Sequence, residues 1–423
     1  MLQTTYIREN KELIIERLRI RNFEGEEIIN QILMLDDARK STQQKLDDQL
    51  AEGNRLAKQI GELFKLGNQE EANKIKEETK LLKESGNLLK KEQNKIAQEL
   101  ENFLYQLPNV PNKIVPRGNT DVDNEVIFEY GAIPSLCENS LPHWDLAKKF
   151  NLIDFEIGVK VTGAGFPIYI GKGARLQRAL ISFFLDQAVK GGYEEVIPPL
   201  MVNEASGYGT GQLPDKEGQM YHMQIDDLYM IPTAEVPITN MYRDVILKES
   251  DFPIKHVAFT PCFRREAGSY GKDVRGLNRL HQFDKVEIVQ IQHPEKSYET
   301  LDVMVEHVKG LLEKLGLPYR VLKLCGGDLG FTAALTFDME VYSAAQEKWL
   351  EVSSVSNFES FQANRLKCRY KNGNAKTRLA HTLNGSALAL PRILAALLEN
   401  NQINEGIKIP EVLIPYTGFD LIN

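Results

Sequence analysis

The feature that most constrains the fold is a long helical signature near the N-terminus. From Gly25 to about Leu104 the sequence has no proline and few glycines, and it is dense in Gln, Glu, Lys and Leu. These residues form helices readily, whereas proline breaks them. In the second half of the stretch, apolar side chains recur every seven residues, at Ile75, Leu82, Leu89 and Ile96. Such a repeat is typical of a coiled coil, so this part of the chain predicts long helices packed along a seam.

The helical stretch divides at Gly67-Asn68, where a glycine or an asparagine can adopt the left-handed conformation that ends a helix. Two antiparallel helices joined there form a hairpin, and a helix of about 40 residues is about 60 Å long. In the first helix we expect Gly53 and five apolar side chains along the seam: Leu46, Leu50, Ala57, Ile60 and Phe64. The charges along both helices are balanced. This balance is typical of a solvated coiled-coil surface, although a long helical pair with scattered lysines can also lie against an RNA backbone.

A second domain follows a proline-containing segment. Residues 105–121 include three prolines, and proline disfavours helix both at itself and at the residue before it. Beyond them, β-like runs such as "EVIFEYG" and "HQFDKVEIVQI" alternate with helical segments. Adjacent strand pairs with hairpin-length loops indicate an antiparallel α+β domain rather than a repeated βαβ array. We therefore expect three parts: a helical-hairpin arm at 1–107, a linker at 108–120 and an α+β domain at 121–423.

Composition narrows the class of protein. The chain has 423 residues, of which 42% are hydrophobic and 26% charged, so it can bury a large core. Its formal net charge of −8 argues against general polyanion binding and leaves only local basic patches for nucleic acid. Four cysteines lie far apart without C-x-x-C spacing, which indicates a reducing, cytoplasmic compartment. We expect no targeting or membrane segment, and no G-x-G-x-x-G, Walker or H-E-x-x-H motif is present.

The segment "FRREAGSYGKDVRGLNRLHQFDKVEIV" offers groups that suit a nucleotide. A strand period of two groups the following side chains on one face of each strand: Arg264 and Glu266; Phe283, Lys285 and Glu287. If the two strands pair around the loop 267–280, one sheet face presents a guanidinium, carboxylates and an aromatic ring. Arginine binds phosphate through two hydrogen bonds, a ring stacks on a base, and a carboxylate accepts from amines or hydroxyls. A solvated hairpin with a mobile loop is the alternative for this segment taken alone.

Three other segments carry polar groups that suit the same chemistry. In "YMIPTAEVPITN", Thr233 and Glu235 are two apart and are expected on one face of a strand. In "WLEVSSVSN", Glu351 stands beside two serines, a hard-oxygen cluster of the kind that binds Mg²⁺ jointly with substrate phosphates. "HTLNGSALALPRILAALLEN" runs from a strand through Asn384-Gly385-Ser386 into a helix that carries Arg392. Taken singly, these segments also fit a strand end, a half-buried strand and a surface helix.

In this order the segments resemble the class II aminoacyl-tRNA synthetases, and most closely the bacterial-type seryl-tRNA synthetases. "GGYEEVIPPLMVN", with Pro199, resembles motif 1 of the class, the segment beginning at Phe263 resembles motif 2, and "NGSALALPRILAALLEN" resembles motif 3. Further family-like pieces are "GTGQLP", "TAEVP", "HQFDKVE", "EVSSVSNFESFQANR", "HTLNG" and "IPEVLIPY". The resemblance covers essentially the whole chain. It implies a class II catalytic domain with an antiparallel sheet, preceded by the coiled-coil hairpin.

The resemblance also implies an activity and partners. The enzyme would use ATP to activate L-serine as seryl-adenylate, release pyrophosphate and transfer the seryl group to tRNA(Ser); the family commonly serylates tRNA(Sec) as well. It would be a cytoplasmic homodimer joined through the motif 1 region around Pro199. The hairpin would grip the variable arm and elbow of a tRNA held by the other subunit, and Lys272, Arg275 and Arg279 would meet the acceptor end. Mg²⁺ would accompany ATP, whereas the zinc ligands of the methanogen-type enzymes are missing and no zinc is expected.

Carried over residue by residue, the resemblance assigns roles in the site. The catalytic residues would be Arg264, Glu266 and Arg392. The serine pocket would be lined by Thr233, Ala234, Glu235, Glu287, Asn384 and Ser386. ATP would be bound by Arg264, Arg265, Glu266, Phe283, Glu351, Val352, Ser353, Ser354 and Arg392. Within that set, Glu351 and Ser354 would hold Mg²⁺, and Phe283 and Arg392 would enclose the adenine.

Two alternatives remain at this point. A threonyl- or prolyl-tRNA synthetase would carry an anticodon-binding domain after motif 3, where this sequence has little chain. A non-catalytic tRNA-binding paralogue usually loses the motif arginines or the magnesium-binding carboxylate, whereas Arg264, Arg392 and Glu351 are all present. Motif 3 departs from the family's common glycines at Ala387 and Pro391, which leaves open only the start of its helix.

Overall fold

A computed structural model describes residues 1–136, 138–215, 217–266 and 275–423 of the chain. The described residues form two compact units. The first unit contains residues 1–19 and 23–108, and the second contains residues 20–22 and 109–423. Lys272, which is predicted to meet the acceptor end of a tRNA, lies outside the described residues. No helix in the described part of the chain is both long and apolar enough to cross a bilayer.

The first unit is helical. Its helices are α1 (Thr4–Glu9), α2 (Lys11–Leu18), α3 (Glu26–Lys65) and α4 (Gln69–Gln106). The two long helices, of 40 and 38 residues, pack along each other, and at 1.5 Å per residue each is nearly 60 Å long. Between them Gly67 has a φ of +79°, and the N–H of Asn68 donates to the carbonyl of Leu63 at 3.0 Å. The predicted helical hairpin and its left-handed glycine turn are therefore confirmed.

The seam of this hairpin agrees with the prediction in α4 and differs from it in α3. Three predicted seam positions, Leu50, Ala57 and Phe64, are wrong by one residue, because their N-terminal neighbours Gln49, Leu56 and Leu63 are the more buried ones. Leu56 is 4% exposed, whereas Leu50 is 59% exposed. Gln49 also donates a hydrogen bond from Nε2 to Ser85 Oγ of α4 at 3.0 Å. A seven-residue repeat alternates steps of three and four, and which step comes first depends on how the helices pack.

The second unit combines helices with several sheets. Its strands are β1 (Glu125–Tyr130), β2 (Ile153–Asp154), β3 (Ile168–Tyr169), β4 (Glu194–Glu195), β5 (Met201–Asn203), β6 (His222–Met223), β7 (Leu228–Met230), β8 (Ile246–Lys248), β9 (Ile254–Phe263), β10 (Gln282–Gln292), β11 (Tyr319–Lys323), β12 (Leu335–Ser343), β13 (Lys348–Asn357), β14 (Arg369–Lys371), β15 (Arg378–Leu379), β16 (His381–Ala389), β17 (Gln402–Ile403), β18 (Gly406–Lys408) and β19 (Leu421–Ile422). Its helices are α5 (His143–Lys149), α6 (Phe155–Val161), α7 (Gly171–Lys190), α8 (Glu204–Thr210), α9 (Glu235–Asn240), α10 (Ser297–Lys314), α11 (Ser360–Leu366), α12 (Leu390–Asn400) and α13 (Ile414–Thr417).

The central sheet has eight strands in the order β1-β11-β12-β13-β16-β10-β9-β4. Neighbouring strands are antiparallel, except for the short edge strand β4, which is parallel to β9. Strands that are distant in sequence become neighbours, since β10 lies between β9 and β16. This arrangement confirms the predicted antiparallel α+β fold.

The strand β10 shows how this sheet separates the core from the candidate site. Val286 and Ile288 point to one face and belong to the main hydrophobic core, which also contains apolar residues of α7, α10 and α12. Glu287 and Val289 point to the other face, because side chains alternate along a strand. There Val289 packs in a small cluster with residues of β9 and α9. The helices α7, α10 and α12 thus cover one face of the sheet, while the opposite face carries polar groups beside α9.

Candidate active site

Two buried carboxylates lie at the centre of the candidate site. Glu235 is the first residue of α9, and Glu287 lies in the middle of β10 and is 1% exposed. Asn384 of β16 donates from Nδ2 to both, at 2.8 Å to Glu235 Oε2 and at 3.1 Å to Glu287 Oε1. One side-chain amide therefore joins the two carboxyl groups, which come from positions that are far apart in sequence.

Glu287 has a charged partner and a hydroxyl partner. The buried Lys285 places Nζ 2.7 Å from Glu287 Oε2, and Ser386 donates from Oγ to the same oxygen at 3.2 Å. Ser386 stands directly opposite Glu287 in the pairing of β10 with β16. A buried carboxylate needs a countercharge and hydrogen bonds to stay ionised, and these contacts supply both.

The pKa of the Glu235 carboxyl group differs from its ordinary value. Burial, and then the charge of Glu287, raises the pKa of Glu235 to about 7, although a hydrogen bond from Gln362 lowers it in part. That bond runs from Gln362 Nε2 to Glu235 Oε1 at 2.6 Å, and Thr382 in turn donates to Gln362 Oε1 at 2.7 Å. Two like charges close together cannot both be ionised at low cost. Glu235 therefore takes up or loses a proton near neutral pH.

The predicted strand around Thr233 and Glu235 is wrong, because Glu235 begins a helix. Thr233 Oγ1 accepts a hydrogen bond from the N–H of Glu235 at 3.2 Å, and Ala234 between them is fully buried. Pro232 and Pro237 account for the difference, since proline lacks the N–H that an interior strand requires but fits the first turn of a helix. Glu235 is still joined to Glu287 through Asn384, because α9 packs on the same sheet face.

Arg264 lies just beyond the end of β9. Its N–H donates to the carbonyl of His281 at 2.9 Å, which extends the pairing of β9 with β10 by one more step. Its guanidinium carbon lies 5.2 Å from the centroid of the Phe283 ring. A guanidinium over an aromatic face is an electrostatically favourable pair, so these two predicted residues are brought together.

The period-two pattern predicts that Glu266 shares a strand face with Arg264, and this prediction is wrong. The strand ends at Phe263, and Glu266 has a φ of +50°, which breaks the alternation of side chains. The Glu266 carboxylate accepts a hydrogen bond from Arg279 Nη1 at 2.8 Å. Arg265 turns away and donates from its N–H to the carbonyl of Gln219 at 2.8 Å. Arg279, predicted to meet tRNA, is therefore engaged within the site.

On the other side of β16, the strand β13 carries an acidic group and a hydroxyl on one face. Glu351 stands opposite Glu340, and Ser354 stands opposite Asp338, with a β-bulge between these two pairs. In a regular strand, residues three apart point to opposite faces, whereas the extra residue of a bulge brings them to the same face. Burial, and then the charge of Glu351, raises the pKa of Asp338, which also accepts a hydrogen bond from Ser354.

The other two predicted ATP-binding residues of β13 are buried. Val352 belongs to the main core, and Ser353 donates from Oγ to the carbonyl of Ser386 at 2.5 Å. No group of three or more His, Cys, Asp and Glu side chains in the described ranges could hold a metal ion by itself. An Mg²⁺ ion that is shared with substrate phosphates needs only one or two protein ligands, which Glu351 and Ser354 could supply.

Arg392 is anchored at the start of α12. Its Nε donates to the carbonyl of Asn278 at 3.1 Å, and its Nη1 donates to the carbonyl of Glu351 at 2.8 Å. The Glu351 carboxylate lies 3.6 Å from the same nitrogen. Pro391 lies within the first turn of α12, as the sequence allows. The arginine of the motif 3 segment thus meets both the glutamate of β13 and the chain that follows the motif 2 loop.

Comparison with known proteins identifies the family to which this chain belongs. A model of the seryl-tRNA synthetase N-terminal domain matches residues 1–111, and a model of the class II tRNA synthetase core domain (G, H, P, S and T) matches residues 221–401. A serine–tRNA ligase of Salinibacter ruber is 51% identical over 421 residues, which cover 99% of this chain and 98% of that protein. The chain belongs to the seryl-tRNA synthetase family.

Solved structures agree with the family at the level of the fold. The crystal structure of seryl-tRNA synthetase from Pyrococcus horikoshii complexed with ATP has a TM-score of 0.91 and 34% identity, and it covers 100% of this chain and 99% of that one. The crystal structure of cytoplasmic serine–tRNA ligase from Naegleria fowleri in complex with AMP has a TM-score of 0.87 and 26% identity, with the same coverage. As a member of the seryl-tRNA synthetase family, the chain is an aminoacyl-tRNA ligase.

Sequence reasoning missed several residues of this seryl-tRNA synthetase site. The strand spacing groups Lys285 with Glu287, but it does not predict the ion pair between them. Gln362 and Thr382, which hold Glu235, lie on α11 and β16 and carry no spacing signal. Asp338 alternates with Glu340 on β12, and this pattern could have been read as an acidic strand face next to Glu351.

Proposed function

We propose that the chain activates L-serine with ATP and transfers the seryl group to tRNA(Ser). The observation that carries the proposal is the pair of buried carboxylates, Glu235 and Glu287, joined by Asn384. L-serine offers an ammonium group and a hydroxyl group as donors to two separate acceptors. Alanine offers only the ammonium group, and proline offers a secondary ammonium with no hydroxyl. The pair of acceptors therefore fits serine better than these amino acids.

Glu287 accepts the hydrogen bond of the serine hydroxyl, and Glu235 accepts from the serine ammonium group. Lys285 and Ser386 support Glu287 as the acceptor, since both contact Oε2, while Oε1 accepts from Asn384 and has a further lone pair for the serine hydroxyl. Thr233, Ala234 and Asn384 complete the pocket. A site built to bind a hydroxyl rejects the analogue that lacks it by about 10⁴-fold or more, because its buried acceptor is left unpaired. Threonine must be rejected by shape.

ATP binds between the ends of β9 and β10 and the start of α12. Arg264 neutralises the α-phosphate and the serine carboxylate, and Glu266 accepts from the edge of the adenine. Phe283 and Arg392 enclose the adenine ring, with Arg392 also reaching toward the γ-phosphate. Support comes from the placement of Arg264 over Phe283 and from the anchoring of Arg392 by two backbone carbonyls. Arg265, Val352 and Ser353 form the surrounding wall.

Glu351 and Ser354 hold Mg²⁺ against the phosphates of ATP. The bulge that turns both side chains to one face of β13 supports this role, and so does the buried Asp338 beside Ser354. A carboxylate and a hydroxyl are the hard oxygen ligands that Mg²⁺ prefers. When bound, the ion offsets the negative charge that the phosphates bring. The arginine residues remain the groups that orient the reacting atoms.

The chemistry needs no covalent protein intermediate. The serine carboxylate attacks the α-phosphate in line with the departing pyrophosphate. A terminal ribose hydroxyl of the tRNA then attacks the carbonyl carbon of the seryl-adenylate, which forms the ester and releases AMP and a proton. Such a displacement depends mostly on positioning and on charge neutralisation. Arg264, which we place at both the carboxylate and the α-phosphate, brings the two reactants together.

The other partners follow from the rest of the chain. The helical hairpin, residues 1–107, binds the long variable arm of tRNA(Ser), and also of tRNA(Sec), by shape and backbone contacts. We assign the acceptor end to Lys272 and Arg275, and to Arg279 on release of its hydrogen bond to Glu266. Two chains form a cytoplasmic homodimer through the segment after β4, where Pro199 is exposed and Ile197 is 89% exposed. Exposed apolar residues of this kind support a protein interface.

Amino-acid-dependent exchange of pyrophosphate into ATP tests the activation step. We expect exchange with serine and little with threonine, alanine or proline. Absence of serine-dependent exchange in a folded protein would favour the alternative, a non-catalytic tRNA-binding paralogue. The presence of Arg264, Glu351 and Arg392 argues against that alternative.

Deletion of residues 30–100 tests the role of the hairpin separately. We expect the truncated chain to keep serine-dependent exchange and to lose aminoacylation of tRNA. Charging of tRNA(Ser) at the full-length rate by the truncated chain would refute the role of the hairpin. The same assay with a tRNA(Sec) transcript tests the second tRNA substrate.

A further inference from the structure

A buried histidine outside the residues assigned above joins two parts of the site. His143, the first residue of α5, is fully buried. The N–H of Leu277 donates to its Nε2 at 2.8 Å, so Nε2 is the acceptor nitrogen. Its Nδ1 therefore carries the proton and donates to Glu399 Oε1 at 2.7 Å. Both ring nitrogens are used, one toward the end of the motif 2 loop and one toward α12.

Glu399 is an unusual residue for the interior of α12. It is fully buried, and burial acts to raise its pKa, but hydrogen bonds from His143 and Ser343 outweigh this effect and lower the pKa overall. Gln346 donates a further bond from Nε2 to Glu399 Oε1 at 2.9 Å. The carboxylate is thus ionised at neutral pH and fully engaged. Its position along the chain, seven residues after Arg392, is two turns further along the same helix.

Further hydrogen bonds close a ring of residues, and Arg392 is bonded to one member of this ring, Asn278. Asn278, the residue after Leu277, donates from Nδ2 to Gln346 Oε1 at 2.9 Å, and Gln346 leads back to Glu399. The carbonyl of Asn278 accepts from Arg392 Nε at 3.1 Å. The ring therefore fixes the peptide that anchors the guanidinium of Arg392.

The backbone passes close to the imidazole ring of this histidine at Gly276. Gly276 has a φ of +67°, and a Cβ atom at that position would lie 2.2 Å from His143 Nε2. Only glycine meets both demands, the left-handed backbone and the close approach. Next to it, the guanidinium of Arg275 lies 4.6 Å from the ring centroid of Trp144. Residues 143 and 144 thus hold three successive residues where the motif 2 loop returns to the sheet.

We propose that His143 is a positioning residue for ATP, because it fixes residues 275–278 and through the carbonyl of Asn278 sets the place of Arg392. The proposal rests on the proposed function of Arg392 at the adenine. Nε2 of His143 makes the bond to the loop, and Nδ1 makes the bond to Glu399. The two bonds can be removed one at a time.

Two substitutions separate these bonds. In His143→Asn the short amide can still donate to Glu399, but no acceptor reaches Leu277. In His143→Gln the longer side chain places its carbonyl near the former Nε2 and can accept from Leu277. We expect His143→Asn to raise the KM for ATP roughly tenfold, the factor that about 1.4 kcal/mol corresponds to. His143→Gln should stay within about threefold of the wild type.

The KM for serine and the melting temperature serve as internal controls. The KM for serine should change by less than about twofold in both variants, since Glu235 and Glu287 lie outside the ring of hydrogen-bonded residues that contains His143. His307→Asn is the control for loss of a histidine away from these contacts, because His307 lies in α10 and is half-buried. It should lower the melting temperature and leave both KM values unchanged.

Several results would overturn the proposal. An ATP KM of His143→Asn within twofold of the wild type would do so, as would an equal rise in the KM for serine. If His143→Asn does not fold, Gln346→Ala decides the question, because it opens the same ring at a half-buried side chain and should also raise the KM for ATP. If the wild type shows no serine-dependent exchange, the proposed function fails, and calorimetric ATP affinity of the same variants still tests the positioning.

Discussion

Replacing Glu287 with alanine tests the serine pocket most directly. The substitution removes the acceptor that we assign to the serine hydroxyl, together with contacts to Lys285, Asn384 and Ser386 at 2.7, 3.1 and 3.2 Å. We expect kcat/KM for serine to fall on the order of 10²-fold, while the KM for ATP changes by less than about threefold. We assign ATP to other residues, so the two substrates should respond differently.

The magnitude follows from the kind of hydrogen bond that is lost. A bond to a charged group contributes about 1.5–3 kcal/mol, which corresponds to a factor of roughly 10 to 150. The protein itself also loses stability, because Lys285, whose side chain is 7% exposed, keeps its charge without a partner. Breaking a buried ion pair from one side costs about 3–5 kcal/mol. The melting temperature must therefore be measured beside the kinetics.

Glu287→Gln is the matched variant for this experiment. It keeps the volume of the side chain, and its carbonyl can accept from Lys285 or from the serine hydroxyl. A neutral hydrogen bond contributes about 0.5–1.5 kcal/mol, so the expected loss is roughly tenfold. A loss of the same size in Glu287→Gln and Glu287→Ala would show that side-chain volume rather than charge matters at this position.

Pyrophosphate exchange with serine and with alanine provides the assay. Glu287→Ala should lower the rate with serine far more than the rate with alanine, because alanine has no hydroxyl to lose. The ratio of kcat/KM between the two amino acids should thus fall by one to two orders of magnitude. Equal losses with both amino acids, or equal rises in the KM for serine and for ATP, would refute the assignment.

Three further predictions address other parts of the chain. Glu235 has a folded-state pKa of about 7, above its ordinary value of 4.5, so the stability that its protonated form contributes at low pH is lost as the pH rises through about 7. Because the serine ammonium needs the ionised form, the KM for serine should fall over the same range, and Glu235→Gln should flatten that pH profile. Glu351→Gln should raise the Mg²⁺ concentration needed for half-maximal exchange several-fold, with the KM for serine unchanged; an unchanged Mg²⁺ requirement would contradict the assignment. Leu56→Ala should destabilise the hairpin by about 2–3 kcal/mol in denaturant unfolding, whereas Leu50→Ala should have an effect below about 0.5 kcal/mol, and the reverse order would contradict the seam.

Local periodicity predicted the elements of the chain better than it predicted their contacts. The repeat of Leu82, Leu89 and Ile96 depends only on one helix, and it agrees with the structure. In α3, Leu56 directly precedes the predicted seam residue Ala57, and a repeat of 3.5 residues allows either to face α4. Only the packing of the two helices selects Leu56.

The strand predictions show the same limit. Alternation in "HQFDKVEIVQI" correctly separated Glu287 from Val286 and Ile288, because β10 is a regular strand. The same rule failed at Glu235, where two prolines favour the first turn of a helix. It also could not predict that Glu351 and Ser354, three residues apart, lie on one face of β13. The bulge that aligns them depends on pairing with β12, which is a tertiary contact.

Residues that position other side chains, rather than contact a substrate, are the hardest to identify from the sequence. Glu235, Glu287 and Asn384 lie in segments with recognisable polar patterns, whereas His143 follows a proline in a loop-like segment and has no spacing relation to any of them. Its partners Leu277 and Glu399 are separated from it by 134 and 256 positions. A hydrogen-bonded ring over such distances is specified only when the sheet is assembled and α5 meets α12. Because both bonds of the His143 side chain are buried, losing one costs more than a comparable surface bond. If His143 positions Arg392 as we propose, its substitution should change both the stability and the ATP affinity, and no local sequence pattern reveals this residue.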